Sequence, residues 1–329
     1  MAELSLNDQL TPLEIAKRFG DKQTIFIYEA LSQTNELLLD AVIGEASDGT
    51  VNRTTQRVTL PHGTRRIYGQ PIASEASQTR QIEDGIEMIE AYSDIEADMA
   101  DHSPNKKALI DSEDRAFLEG IGETQIEDLL YAKREDGLEF IDGLYVRLPE
   151  KIDNQNVFGV ETSGSNFASI LLVKWSEDKA KLIYPRGISG LGVSAEWRGK
   201  QDVAVMKKDG TLGTLPMYRT FYKTHFGVTV RHGQAVKRIA NINPLTSDPA
   251  KIMVKLIAAR NKLARGGGTV VAYMNADVKT LLDTYTQVTN QRQLVTKDDP
   301  WGRQMTSFGE IRFRQIDKML STESLVPAV

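Results

Sequence analysis

The segment from residue 46 to residue 80 limits the architecture more than any other, because it is poor in large aliphatic side chains and rich in Thr, Arg, Gln, Ser and Gly. Within it, Arg53-Thr-Thr-Gln-Arg-Val-Thr-Leu60 has strand propensity without a convincing apolar face. Pro61-His62-Gly63 signals a turn, and Thr64 to Tyr68 reads as a returning strand. The pattern predicts a long hairpin, polar on both sides. A two-stranded hairpin with no second layer is marginal in water. The segment is therefore either a mobile surface loop or an arm that becomes ordered on a partner.

Charge is laid down in blocks. The 329 residues carry a formal net charge of −5. Residues 1–52 hold 3 basic and 9 acidic side chains, net −6, whereas residues 53–80 hold five arginines (Arg53, Arg57, Arg65, Arg66, Arg80) against Glu75, net +4. Residues 83–142 hold 19 acids against 5 bases, net −14, and residues 143–329 hold 27 bases against 16 acids, net +11. Such blocks are either solvated faces or surfaces that meet, within one molecule or between copies.

The length suits one large domain or two smaller ones. A composition of 40% hydrophobic and 26% charged residues is that of a soluble globular protein. No run approaches the roughly 18 to 20 apolar residues of a bilayer span, and the first ten residues are polar and acidic, so neither membrane insertion nor secretion is expected. With no cysteine, disulfides, thiol nucleophiles and cysteine-ligated zinc are excluded, as suits a protein made in a reducing cytosol.

Helical and strand patterns alternate around the polar segment. Thr11, Pro12 and Glu14 predict the start of one helix, and a second begins near Thr24 and carries Ile27, Ala30, Leu31, Leu37, Leu38, Ala41 and Val42 towards Gly44. An arm this short has no core of its own and must pack on something else. Ile82, Ile86, Ile89, Tyr92, Ile95 and Met99 recur at helical spacing, but the alternation at 86–92 equally suits a strand. Asp111 is the expected cap of a helix over residues 112–133, with Phe117, Leu118, Ile121, Ile126, Leu129 and Leu130 apolar and Glu119, Glu123 and Glu127 in a row at i, i+4, i+8. Like charges so spaced repel, and a basic partner would reverse the sign. Further on, 168–175, 182–184, 226–230 and 269–274 read as strands, and 310–316 as a half-exposed one. Asp248-Pro249 and Asn275 or Asp277 open helices. Residues 187–192 and 199–213 read as long loops.

Catalytic motifs are missing from the sequence. Gly187-Ile-Ser-Gly-Leu-Gly192 lacks a glycine that a nucleophile elbow requires. Gly266-Gly267-Gly268 suggests a phosphate cradle, but it follows a helix and precedes a strand, the reverse of a P-loop, and reads as a helix C-terminal stop. Asp98, Asp101 and His102 could share a metal ion; a solvated acidic turn before Ser103-Pro104 is the simpler reading. His225 and His232 read as structural. The +11 block has neither a basic helix nor an aromatic RNA-binding pattern, leaving only loose, salt-sensitive contact with a phosphate backbone.

The order of a helical arm, an extended polar hairpin, a long acidic helix, a mixed domain and a returning strand resembles that of tailed-phage major capsid proteins with the Hong Kong 97-type fold. Ala30-Leu-Ser-Gln-Thr-Asn-Glu-Leu-Leu-Leu-Asp40, Arg53 to Pro61 and Asp111-Ser-Glu-Asp-Arg-Ala-Phe-Leu-Glu-Gly120 are similar to the capsid proteins of short-tailed phages of the Bordetella-phage type. Ser169-Ile-Leu-Leu-Val-Lys-Trp175 and Ile183-Tyr-Pro-Arg-Gly187 extend the likeness. The resemblance implies an α+β fold with an N-terminal arm (1–45), an extended loop (46–82), a peripheral domain with a spine helix (83–145), an axial domain (146–300) and a strand returning to the peripheral domain (301–329). It implies a structural protein without catalytic residues, cofactor or metal. Hexamers and pentamers of such a protein build an icosahedral head around double-stranded DNA, assembled in the host cytoplasm, with scaffold, cement and portal proteins as further partners. In such shells the loop of one subunit lies across its neighbour, so Arg53, Arg57, Arg65 and Arg66 are expected to meet Glu119, Glu123 and Glu127 of an adjacent copy. A bacterial nanocompartment shell, which shares the fold, is the alternative; a metal-dependent hydrolase using Asp98, Asp101 or His102 is a remote one.

Overall fold

The computed structural model describes residues 31, 36–59, 61–72, 74–134, 141–188, 192–206, 210–289, 294–298 and 304–328. The helix expected at Thr11 and most of the one expected from Thr24 lie outside the described residues. What is described of the arm behaves as a segment without its own core: Leu31, Leu37, Leu38 and Ala41 are buried in a cluster shared with the long helix and the sheet. Helix α1 (Leu37–Asp40) stops earlier than the apolar spacing suggests, and Ala41 is extended. Strand β1 (Ile43–Glu45) follows, because the Val42 carbonyl accepts from Leu182 and the next three residues pair in parallel with Leu182 to Tyr184. Sheet hydrogen bonds here replace the helix turn that Val42 would have continued.

The hairpin exists, but its return is displaced. Strand β2 (Val51–Thr59) pairs antiparallel with β3 (Gln78–Gly85), with Val51 opposite Gly85 and Arg57 opposite Thr79. Residues 64–68, expected to be the returning strand, lie in the connection instead. Pro61, Pro71 and the positive φ of Gly63 (69°) and Gly69 (86°) break up that stretch. Residues 78–84 contain neither glycine nor proline.

Strand β4 (Glu87–Glu96) resolves the ambiguity at 86–92 in favour of a strand, and α2 (Ala97–His102) follows it. Helix α3 (Lys106–Tyr131) is 26 residues long and begins earlier than the sequence suggests. Asn105, not Asp111, caps it by accepting from the Ala108 amide at 3.1 Å. Asp111 therefore sits inside the helix. At the other end, the amides of Gly143, Leu144 and Tyr145 donate to the carbonyls of Ala132, Leu129 and Leu130, so the returning chain satisfies acceptors the helix leaves open. This approach is close: a Cβ at Gly143 would lie 2.6 Å from the Leu130 carbonyl.

The remaining chain forms β5 (Val157–Gly159), β6 (Ala168–Trp175), β7 (Ala180–Tyr184), β8 (Val193–Met206), β9 (Leu212–Val230) and β10 (Val236–Ile242). Helix α4 (Pro249–Asn261), β11 (Thr269–Met274), α5 (Ala276–Thr289), β12 (Leu294–Asp298), β13 (Gln304–Phe308) and β14 (Ile311–Gln315) complete it. The expected helix caps hold: Asp248 accepts from Ala250 and Asn275 from Val278. The expected loop at 199–213 does not. Most of it belongs to the long β8–β9 hairpin, and Gly199 marks a register shift in the ladder opposite Arg219. Gly266 to Gly268 lie beyond the end of α4, which is already capped at Lys262, so they form the connection to β11 and not the helix stop.

Among the described residues, twelve strands form one sheet with the path β12-β13-β14-β11-β6-β7-β9-β4; β1, β5, β8 and β10 lie off this path, and β2-β3 stands apart as a separate two-stranded sheet. The continuous apolar run of β6 is explained by burial on both faces. Ile170 and Leu172 face a cluster under α4 and α5, while Leu171, Val173 and Trp175 face the cluster that includes α3 and the arm. The tail strand β14 lies parallel to β11. The chain beyond it then reaches α3, where Lys318 pairs with Glu123 and the Leu320 amide donates to the Tyr131 hydroxyl.

Candidate inter-subunit surfaces

The hairpin is clamped at its base, and much of its outer strand and its connection are exposed. Asp84, with its side chain 2% exposed, accepts from Arg147 at 2.6 Å, and the same guanidinium donates to the carbonyls of Val228 and Asp142. Beside it, the Asn52 side chain accepts from the Ser47 amide and the Ser47 hydroxyl accepts from the Arg53 amide. One arginine thus ties β3 to β9 and to the chain after α3. Beyond the clamp, residues 78–81 of β3 are exposed. The connection exposes Ile67 (73%), Tyr68 (99%) and Ile72 (62%), an apolar tip on an otherwise polar arm.

The arginines singled out from the sequence are spread along this arm. Arg53 donates to Glu83 across the hairpin at 2.9 Å, with both side chains about half exposed. Arg66 donates to the Gln70 carbonyl at 3.3 Å, and Arg65 is exposed. The side chain of Arg57 lies outside the described residues. On α3, Glu119 and Glu127 are exposed, and Glu123 pairs with Lys318 at 2.7 Å. The Glu123 hydrogen bond, with help from its charge and that of Glu127, raises the Lys318 pKa. The acidic row therefore already has one cation from its own chain. Within the chain, Arg53 meets an acid of the 83–142 block, but on its own hairpin and not on α3.

The −14 and +11 blocks meet inside the molecule. Strand β4 lies antiparallel to β9, placing Glu90 opposite Lys223 and Asp94 opposite Arg219. Lys223 and Glu90 are 3.1 Å apart, and Arg219 grips Asp94 with two hydrogen bonds of 2.6 Å, a fork geometry that raises the Arg219 pKa. Arg219 also stacks over Tyr92, whose ring meets Phe221 at 4.9 Å, and Arg198 of β8 covers the Phe221 ring. The opposite face of these strands, with Ile89, Ala91 and Tyr222, packs into the core cluster that contains α3.

The arm has a second clamp. Asp40, its side chain 1% exposed, accepts from Arg314 at 2.6 Å and from Arg312 at 3.3 Å, while the Glu36 carboxylate accepts from the Gln315 amide. Burial pulls the Arg314 pKa down, but the Asp40 hydrogen bond and charge outweigh it and the net direction is upward. Neither clamp was legible in the sequence, because the partners stand 63 and 274 residues apart.

Two of the three possible metal ligands, Asp101 and His102, are otherwise engaged. Asp101 accepts from Lys106 at 2.8 Å and from the Tyr218 hydroxyl, and the Lys106 hydrogen bond is the main reason its pKa is lowered. His102 Nδ1 lies 2.6 Å from the Asp98 carbonyl of its own helix. No three His, Asp or Glu side chains converge among the described residues. His225 lies in β9 and His232 in the turn after it, and burial lowers the pKa of both. No described helix is long and apolar enough to cross a membrane.

A chain in the structure of bacteriophage Epsilon15 is similar over 88% of both chains, with a TM-score of 0.64 and 23% identity. The bacteriophage JBD30 capsid matches over 86% of this chain and 90% of its own, with a TM-score of 0.50 and 12% identity. An encapsulin from Synechococcus elongatus covers 63% of this chain with a TM-score of 0.41, too distant to carry weight. Comparison with curated proteins gave no match. The fold is the Hong Kong 97-type fold of phage capsids. The family model of the major capsid protein GP7 matches residues 20–327, and the chain belongs to that family of structural shell proteins.

Proposed function

We propose that copies of this chain associate as hexamers and pentamers into the icosahedral head of a short-tailed phage, near the Bordetella-phage type, around double-stranded DNA. In this reading the arm (1–45), extended loop (46–82), peripheral part with the spine helix (83–145), axial part (146–300) and returning segment (301–329) form one protomer. It assembles in the host cytoplasm with scaffold, cement and portal proteins. Arg53, Arg57, Arg65 and Arg66 of one copy meet the acidic block of the next, including Glu119, Glu123 and Glu127.

The observation that carries this is the hairpin itself: a two-stranded sheet outside the twelve-stranded one, clamped at its base and ending in an exposed apolar tip. Such an arm lacks a second layer in its own subunit. The Arg53 to Glu83 pair is exposed and worth only about 0 to 1 kcal/mol, so exchanging it for a neighbour's carboxylate costs little. Many weak contacts per subunit close a shell while each stays reversible. Replacing Arg53, Arg57, Arg65 and Arg66 together with glutamate is expected to abolish closed particles at low salt. Normal particle yield would contradict the pairing.

A further inference from the structure

Three turns meet at one end of the sheet and gather positive charge there. The first joins β6 to β7 (176–179), the second joins β9 to β10 (231–235), and the third is the glycine connection from α4 to β11 (264–268). Backbone hydrogen bonds stitch them together: Arg231 to the Lys179 carbonyl at 2.7 Å, Lys174 to that of Ala235 at 2.9 Å, and Ala264 to that of Gln234 at 3.0 Å. Lys179 is 7% exposed and donates its ammonium to the Gly267 carbonyl. Lys174 lies beside it, with its Cγ 3.3 Å from where a Cβ of Gly268 would stand. Arg265 and His232 are exposed at the rim.

Opposing charge is sparse. Glu177 is exposed, and Asp178, 89% exposed, reaches Arg231 only at 3.7 Å. Burial lowers the Lys179 pKa, and the Lys174 charge lowers it further; burial and then Lys179 and Lys237 do the same to His232. The cations therefore repel one another in the isolated chain, and an anion among them would relieve that repulsion. Gly266, with a φ of 97°, and the exposed Gly267, whose Cβ position is open, leave the rim without side chains, so an extended backbone can approach closely, whereas Gly268 is needed for packing, its Cβ position lying 2.7 Å from the Trp175 carbonyl. The hairpin adds to the same surface: Gln56 Nε2 lies 3.5 Å from the Cβ position of Gly233, and Gln56 accepts from Arg80.

We infer that these three turns form a binding surface for the phosphate backbone of double-stranded DNA, with Lys174 and Arg265 as phosphate contacts and Lys179 positioning the glycine connection. Cations clustered around a glycine rim suit a repeating phosphodiester, which is bound irrespective of sequence. The inference rests on the reading of the chain as a shell around DNA.

The test uses the full chain before assembly, a short DNA duplex of arbitrary sequence, and fluorescence anisotropy across graded sodium chloride. Lys174→Gln with Arg265→Gln should weaken binding uniformly and reduce the slope of log K against log salt by about 2, roughly one for each phosphate contact. An unchanged slope and affinity would overturn the inference. So would a variant that binds the duplex normally but no longer forms particles, which would assign the surface to an acidic face of another copy. Particle formation by the unaltered chain is scored separately, and its failure would count against the shell reading alone.

Discussion

Single residues in this protein hold segments that the chain order keeps far apart, and the buried charges show the scale of the forces. Asp40 holds the arm to β14, and Asp84 holds the hairpin to the body, each by a carboxylate almost fully removed from water. Removing one partner of such a pair strands the other charge in the interior. Lys237 is a different case, with no ion pair to a carboxylate among the described residues: it is fully buried, donates to the Asn156 side chain at 2.7 Å, and burial, opposed only in part by the Asp153 charge, lowers its pKa from 10.5 to about 8. The unfolded chain therefore holds this proton more tightly than the folded one, so stability rises with pH between about 8 and 10.5 and the full penalty applies below 8. Against a Lys237→Met variant measured in parallel, the unaltered chain should gain about 3 kcal/mol of unfolding free energy across that window. Parallel pH profiles for the two proteins would show that Lys237 carries no such shift.

At the scale of elements, the hairpin depends on its clamp and α3 on its ends. Asp84→Ala should cost about 3 to 5 kcal/mol, and hydrogen exchange should show protection lost first at residues 51–59 and 78–85. Replacing Arg147 with methionine in the same chain should recover part of the stability without restoring the hairpin's protection. Retained protection in Asp84→Ala would mean that the clamp does not hold the arm. Elements were legible where periodicity and caps agree. The runs at β6, β7 and β11, the caps at Asp248 and Asn275, and the apolar face of α3 all stand as read. Elements were misread where a single residue outweighed the pattern. Asn105 capped α3 a turn and a half before Asp111, the prolines and glycines of 61–71 pushed the returning strand to 78–85, and Gly199 marked a bulge in a strand that composition made look like a loop.

At the scale of the whole molecule, the charge blocks are resolved into partners. The acidic strand β4 lies on the basic strand β9, joining the −14 and +11 blocks through Glu90 with Lys223 and Asp94 with Arg219, and Asp40 of the −6 block lies on Arg314 of the +11 block, so the blocks meet at ion pairs within one chain. The same block pattern could have described solvated faces, and strand pairing made the difference. The site itself was only partly legible. Both the arginine arm and the acidic helix were visible in the sequence, but the apolar tip and the clamp become visible only when the chain is folded. The arm is the part left over, with exposed arginines and an apolar tip that its own subunit does not cover. Electron cryo-microscopy of assembled particles tests this directly. The account predicts that residues 51–85 of one copy lie across the next, with Arg53, Arg65 and Arg66 within hydrogen-bonding distance of carboxylates from its 83–142 segment. A hairpin directed into solvent, or resting only on its own subunit, would contradict it.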